Sequence, residues 1–394
     1  MEKYWTSRPE RVSPSGHVTN HGGKRVILVT YPDEFIKEEA VGLVKAAGYQ
    51  IVEVLSQKKL FHPQYGVGAG KAEEIRSICE EKNAQMIVVD ERLSSSQAHN
   101  LAKFCHQEVI DRERLILDIF NARATTTEAK LQVKLAELKY EIPRTKEAVR
   151  LSLKGEQAGF MGMGEYAVDI KFRALKRQMT LIQKKLEEAK QRRHLFKASR
   201  ARLQLPLISL AGYTSSGKTT LFNRLVFEKK EESPSLFTTL TTTTRGFEPL
   251  SGKKVFLSDT VGFISRLPTY MVEAFKSTLE ELTYADLILL VTDVSEPEEN
   301  IKIKYQSCRQ ILDQLHINPL KILIVLNKSD LVRNEDIVDK VGLFQGLPAI
   351  PVSAKTGEGT KKLRIKMVER VFVEGPAENM LDSLTHEDVV GKVD

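Results

Sequence analysis

The stretch AGYTSSGKTTLFNRL, Ala211–Leu225, decides the fold of the second half of the chain. Read from Gly212 it is G-x-x-x-x-G-K-T, a loop whose backbone N–H groups can cradle phosphate. It follows the strand-like run PLISLA (206–211) and leads into the helix-like TTLFNRLV (219–226), the strand–loop–helix context such a loop requires. Gly212, Tyr213, Thr214, Ser215, Ser216 and Gly217 then surround a β-phosphate, and Thr219 and Thr220 continue the binding stretch. Lys218 offers a cation to the β- and γ-oxygens, and the Thr219 hydroxyl can ligate Mg²⁺. Taken alone, the loop leaves ATPase, kinase and GTPase open.

Downstream elements narrow the choice. KVFLSDTVGF places Asp259 at the end of a second strand, followed by D-x-x-G ending at Gly262. That carboxylate can hold a metal-bound water, and the Gly262 N–H can meet a γ-phosphate. KILIVLNKSD delivers Asn327, Lys328 and Asp330 at the C-terminal edge of a buried-type strand, where α/β folds bind ligands. Asp330 can accept from guanine N1–H and the exocyclic amine, whereas adenine offers neither donor. Asn327 is expected to brace the loop, and the Lys328 stem to cover the base. PVSAKTGEG then supplies Ser353, Ala354 and Lys355, with the Ala354 N–H the expected partner of guanine O6. Four elements in this order imply GTP or GDP. Between the phosphate loop and D-x-x-G lies SLFTTLTTTTRGFE, the place for a switch, in which several threonines compete for the metal.

Composition sets the frame. With 394 residues, 41% hydrophobic and 28% charged, the chain suits two or three soluble domains. No run approaches the roughly 18 apolar residues of a membrane span, and the start lacks the apolar core of a secretory signal. Cys79, Cys105 and Cys308 are scattered without metal-ligand spacing and read as reduced packing residues of a cytoplasmic protein. The net charge of +7 admits a polyanionic partner where the charge is concentrated.

Upstream of the loop the pattern divides. RVILVTY, QIVEVL and AQMIVVD alternate with helix-like stretches, predicting a small parallel α/β domain over 24–115 after a loose tail, 1–23. TTTEAKLQVKLAELKYEIPRTKEAVRLSL follows, with Thr127 a candidate cap and Pro143 expected to end or kink the helix. The glycine-rich KGEQAGFMGMGEYAVD reads as a loop, and a second helix should run from about Val168 to Arg202. Between Lys171 and Arg202 only Glu187 and Glu188 oppose many Lys and Arg, around a narrow apolar stripe of Leu175, Met179, Ile182 and Leu186. Two such helices predict an antiparallel hairpin over 116–203, ahead of a GTPase domain over 204–373 and an acidic tail, 374–394. The basic face suits either plain solvation or contact with phosphate backbones.

With these segments in place, the chain resembles the HflX family of ribosome-associated GTPases. YGVGAGKAEEI, the run from Asn100 to Arg144, the phosphate loop, FTTLTTTTR and the segment after LSDTVGF carry the likeness. The resemblance implies an α/β fold in which a P-loop GTPase domain follows a small parallel α/β domain and a long antiparallel helical hairpin. It implies Mg²⁺ as cofactor, GTP and GDP as ligands, and a monomer acting on the large ribosomal subunit and its rRNA. It further implies separation or rescue of ribosomes under stress. The family's F-x-T-L switch corresponds to Phe237, Thr238 and Thr239, and selects Thr239 as the second metal and γ-phosphate ligand. Lys218, Thr239 and Gly262 are then the catalytic set, and Thr219, Thr239 and, through water, Asp259 the metal set. Gly162, Gly164, Lys184, Lys185, Arg192 and Arg193 are candidate RNA contacts.

Two departures stand out. Where the family loop carries R-G-P-G-E-T, this chain has MGMGEYA, and Ser215 replaces a common asparagine. Many GTPases orient the attacking water with a glutamine just after D-x-x-G; here Phe263 holds that position, which predicts slow intrinsic hydrolysis. The competing reading is a regulatory GTPase acting on a protein partner, its basic helix merely solvated.

Overall fold

The computed structural model describes residues 23–155, 163–202, 205–226, 243–344 and 346–373. The expected acidic tail, and all of the N-terminal tail except Gly23, lie outside these.

The first sheet contains β1 (Arg25–Thr30), β2 (Gln50–Ser56), β3 (Met86–Val89) and β4 (Glu108–Asp111), all parallel in the order β2-β1-β3-β4. Its helices are α1 (Glu34–Ala46), α2 (Ala69–Lys82), α3 (Ser95–Cys105) and α4 (Arg112–Arg123). Alternate strand residues serve opposite faces. Val26, Leu28, Met86 and Val88 pack against α1 and α4, while Ile27, Val29, Ile87 and Val89 pack against α2 and α3. Asp33 and Ser94 cap α1 and α3 through their side chains, Ser94 in a reciprocal box with Gln97. The short EVID strand and the α4 helix, which runs across residue 115, are elements that periodicity did not reveal.

The hairpin comprises α5 (Thr127–Gly155) and α6 (Met163–Arg202). The Lys146 ammonium lies 5.9 Å from the centre of the Phe172 ring, and Tyr140 and Met179 line one cavity, so the helices run antiparallel. Three expectations are corrected. The cap of α5 is Thr126, whose hydroxyl accepts from Ala129 N at 3.1 Å, one residue earlier than expected. The helix continues through Pro143 rather than ending there. The missing proline N–H costs roughly 3 kcal/mol in a helix interior, but tertiary ties offset it here. Arg144 donates to Leu93 O at 2.6 Å and pairs with Asp111, and the Tyr140 hydroxyl donates to Asp111 at 3.0 Å. Finally, α6 begins at Met163 rather than Val168, so Gly164 is helical, whereas Gly162 lies outside the described residues.

The second sheet joins β5 (Leu207–Gly212), β6 (Thr243–Leu250), β7 (Lys253–Asp259), β8 (Leu287–Asp293), β9 (Ile322–Asn327) and β10 (Ala349–Val352). The order is β10-β9-β8-β5-β7-β6, parallel except for the β6 edge. Helices α7 (Lys218–Val226) and α12 (Thr360–Val368) cover one face. On the other lie α9 (Lys276–Thr283), α10 (Glu298–Gln314) and α11 (Asn334–Val341), with α8 (Thr269–Ala274) at its border. One apolar core runs across the two halves: Val261, Ile264, Met271 and Phe275 join Phe120, Leu135 and the α1 face. Phe120 and Phe275 meet edge to face, with ring centres 4.6 Å apart.

All three cysteines are buried and unpaired with one another. Among the described residues no helix is long and apolar enough to cross a membrane.

Candidate nucleotide-binding site

Strand β5 is buried throughout and emerges at Gly212, and the chain turns back into α7 at Lys218. Gly212 (φ 144°) and Gly217 (φ 88°) make this turn possible; a side chain at Gly217 would also overlap the Asn327 amide. Ser215, the residue at the tip, is exposed and left-handed at φ 61°. Thr220 lies half-buried on the first turn of α7.

The other segments converge on this loop from the ends of their strands. Asn327, the last residue of β9 and 2% exposed, donates from Nδ2 to Ser216 O at 2.8 Å and accepts from Ala354 N at 3.0 Å. It thus ties the phosphate loop to the loop after β10. The Ala354 N–H expected to read a base is held by Asn327 in this state. Ser353 is fully buried and its hydroxyl accepts from Thr356 N at 3.0 Å, while Lys355 and Asp330 are exposed. Lys328 is left-handed (φ 63°) and its ammonium pairs with Asp293 at the end of β8. Asp293 in turn accepts from Ser295 N (3.0 Å) and Oγ (2.6 Å).

Two residues here escaped the sequence reading. Asp293 orients the Lys328 stem, and its only signal was an aspartate ending the strand next to N-K-S-D. Arg224, on α7, donates from Nε to Ala354 O at 3.0 Å and from Nη2 to Lys355 O, bracing the loop after β10 from another element. No local pattern announces that contact.

At the phosphate end, Lys218 is buried and donates to Gly212 O at 3.0 Å and Tyr213 O at 2.7 Å. Burial pushes its ammonium down to about 8, with Asp259 opposing the shift. Thr219 Oγ1 lies 3.2 Å from Asp259 Oδ2, two hard oxygen donors side by side. The buried hydroxyl oxygens of Thr214 and Ser216 find no hydrogen-bond partner within the described protein. Such a donor set fits Mg²⁺ and phosphate oxygens. Gly262 rests on the loop: a Cβ there would lie 2.9 Å from Thr214 Cγ2 and 3.2 Å from Lys218 Nζ. Phe263 pairs with the loop backbone, Phe263 N donating to Gly212 O (3.0 Å) and Thr214 N to Phe263 O (2.8 Å). Its ring is 2% exposed and faces the core. Phe237, Thr238 and Thr239 fall outside the described residues.

A phosphate beside Lys218 must restore the full ammonium charge, so nucleotide binding is expected to take up a proton above the nucleotide-free value of about 8. Because the free-state value is depressed, affinity is complete below it and falls as pH rises through it, by about tenfold per unit at most. Calorimetric titration of GDP between about pH 7.5 and 9, in buffers of different ionisation enthalpy, measures that uptake. Binding without proton exchange would contradict it.

Sequence profiles described as "GTP-binding GTPase N-terminal", "GTP-binding GTPase Middle Region" and "50S ribosome-binding GTPase" match residues 36–121, 123–200 and 207–328. GTPase HflX of Thermococcus kodakarensis is 43% identical over 81% of this chain and 72% of its own length. The chain belongs to the HflX GTPase family. The chain is therefore a P-loop GTP hydrolase. GTPase HflX of Escherichia coli is 36% identical over 86% of this chain and 79% of its own. Among solved structures, the GDP complex of SsGBP matches with a TM-score of 0.52 and 30% identity, covering 88% of this chain and 98% of that one. The HflX relationship thus spans the first sheet, the hairpin and the nucleotide domain together.

Proposed function

We propose that the protein is a GTP-driven factor of the cytoplasm that binds the large ribosomal subunit through its N-terminal half and hairpin, and separates or rescues ribosomes under stress. The observation that carries this reading is the exposed basic face of α6. Lys171, Arg173, Lys176, Arg177, Lys184 and Lys185 are all exposed on a helix whose opposite stripe packs on α5. Arg192 and Arg193 continue the helix, their side chains lying outside the described residues. Lys and Arg on such a face neutralise RNA phosphates and release counterions, which makes affinity salt-dependent and indifferent to base sequence. The match to a "50S ribosome-binding GTPase" profile supports the same partner.

In the nucleotide site, Asp330 accepts from guanine and Ala354 N–H, released from or shared with Asn327, meets O6. Thr219, Thr239 and, through water, Asp259 would hold Mg²⁺, which when bound neutralises phosphate charge. Lys218 leaves the carbonyls of Gly212 and Tyr213 for the β- and γ-oxygens, and the Gly262 N–H meets the γ-phosphate. Since Phe263 offers no group to water, the ribosome supplies the missing order or the missing group.

Sedimentation with large subunits at rising salt tests the proposal. Charge reversal of Lys184, Lys185, Arg192 and Arg193 should abolish pelleting at near-physiological salt while GTP binding persists. Losing several phosphate contacts is worth on the order of 10³-fold in affinity. Pelleting untouched by these changes would favour a regulatory GTPase acting on a protein partner.

A further inference from the structure

Helix α7 makes contacts near both of its ends. Lys218 and Thr219 stand in its first turn, beside the phosphate loop. Arg224 lies further along, roughly 9 Å down the axis at about 1.5 Å per residue, and reaches the loop after β10. One rigid helix thus carries a residue at each loop.

The loop after β10 is closed on itself except at one place. Ser353 N donates to Glu358 O at 3.0 Å, and Gly357 N to Ser353 O at 2.8 Å. Thr356 N donates to Ser353 Oγ at 3.0 Å. The carbonyls of Ala354 and Lys355 take no part in this mesh. Arg224 binds both, Nε donating to Ala354 O at 3.0 Å and Nη2 to Lys355 O. Its guanidinium also lies across Gly357, where a Cβ would stand 3.8 Å from Arg224 Cζ.

Fixing those carbonyls fixes the amides attached to them. In a trans peptide the C=O and N–H point in opposite directions. With Ala354 O turned toward α7, the Lys355 N–H is turned away from it, and among the described residues nothing accepts from that N–H. The preceding N–H, that of Ala354, is held at 3.0 Å by Asn327 Oδ1, and the Asn327 amide also grips Ser216 O of the phosphate loop. One held and one free backbone donor therefore follow Ser353 in succession. Such a pair suits an oxygen acceptor at purine C6, as in guanine. Adenine carries an amine there, which sets a donor against donors and leaves them unpaired.

We propose that Arg224 is a positioning residue for guanine recognition, one that orients the Ala354–Lys355 peptide so that its N–H meets O6. This rests on the reading in which N-K-S-D and the loop after β10 hold the base. Arg224 acts on the base only through the loop. A guanidinium serves better than an ammonium because one planar group must bind two carbonyls at once.

The test titrates the full chain, without ribosomes, with GDP, 6-thio-GDP and inosine diphosphate. Sulfur at C6 is a weak acceptor, whereas the inosine nucleotide keeps O6 and lacks only the exocyclic amine. Arg224 is exposed on its helix and alanine is the best helix former, so Arg224→Ala should fold normally. It should weaken GDP about tenfold, the order of one or two hydrogen bonds, and 6-thio-GDP much less. The preference for oxygen over sulfur then shrinks, while the ratio of GDP to inosine diphosphate keeps its wild-type value. Arg224→Lys should fall between the two. Equal losses of GDP and 6-thio-GDP would reveal a merely structural brace and overturn the proposal, as would a collapse of the inosine ratio. A wild-type chain that binds GDP and ADP equally would instead overturn the reading of the base site.

Discussion

Asp330→Asn is expected to lower GTP affinity on the order of 10³-fold, because two hydrogen bonds to an ionised carboxylate are lost or weakened at once. The same change should improve binding of xanthosine triphosphate. Xanthine keeps the N1–H but carries an oxo group at C2, which repels a carboxylate and accepts from an amide. Asp330 sits in the turn after β9, exposed, with Asn327 below it and Lys328 held aside by Asp293. Nothing in that geometry depends on its charge, so the variant should fold normally. Competition titration with both nucleotides is the measurement. A variant that loses GTP without gaining the xanthine nucleotide would disprove the assigned base contact, whatever the fate of the phosphate contacts.

The second large effect concerns rate. Purified chain should turn over bound GTP slowly, and large ribosomal subunits should accelerate single-turnover hydrolysis by at least about a hundredfold. A group supplied to the γ-phosphate from outside is worth on the order of 10³- to 10⁵-fold in comparable enzymes. The physical ground is Phe263. Its ring is turned into the core among Tyr213 and Val272 and its backbone is committed to the phosphate loop. Neither part can orient water. Equal rates with and without subunits would defeat the proposal, and the chain reversed at Lys184, Lys185, Arg192 and Arg193 should keep the basal rate while losing the acceleration.

Much of this site was legible in the sequence because its segments are chemically narrow. A glycine pair flanking a turn, an aspartate ending a strand, and N-K-S-D after ILIVLN each demand particular residue types at a strand's C-terminal edge. The parallel sheet gathers those edges. What could not be read depends on contacts between distant segments. EVID is too short to display a period, and β4 exists because β3 lies beside it. Pro143 lies inside a helix whose Arg144 and Tyr140 reach Asp111, a tie from a distant segment. Asp293 and Arg224 act on Lys328 and on the 354–355 carbonyls from other elements. Tyr213 occupies a position in the loop motif open to any residue type, so nothing local marks its bond to Glu39.

The continuous apolar core that Phe120 and Phe275 share has a mechanical consequence. Interlocked rings resist gradual sliding, since intermediate offsets open voids and lose dispersion contacts. A probe spanning the two halves should accordingly register one narrow distance, rather than one that drifts. The joint works as a lock, not a bearing.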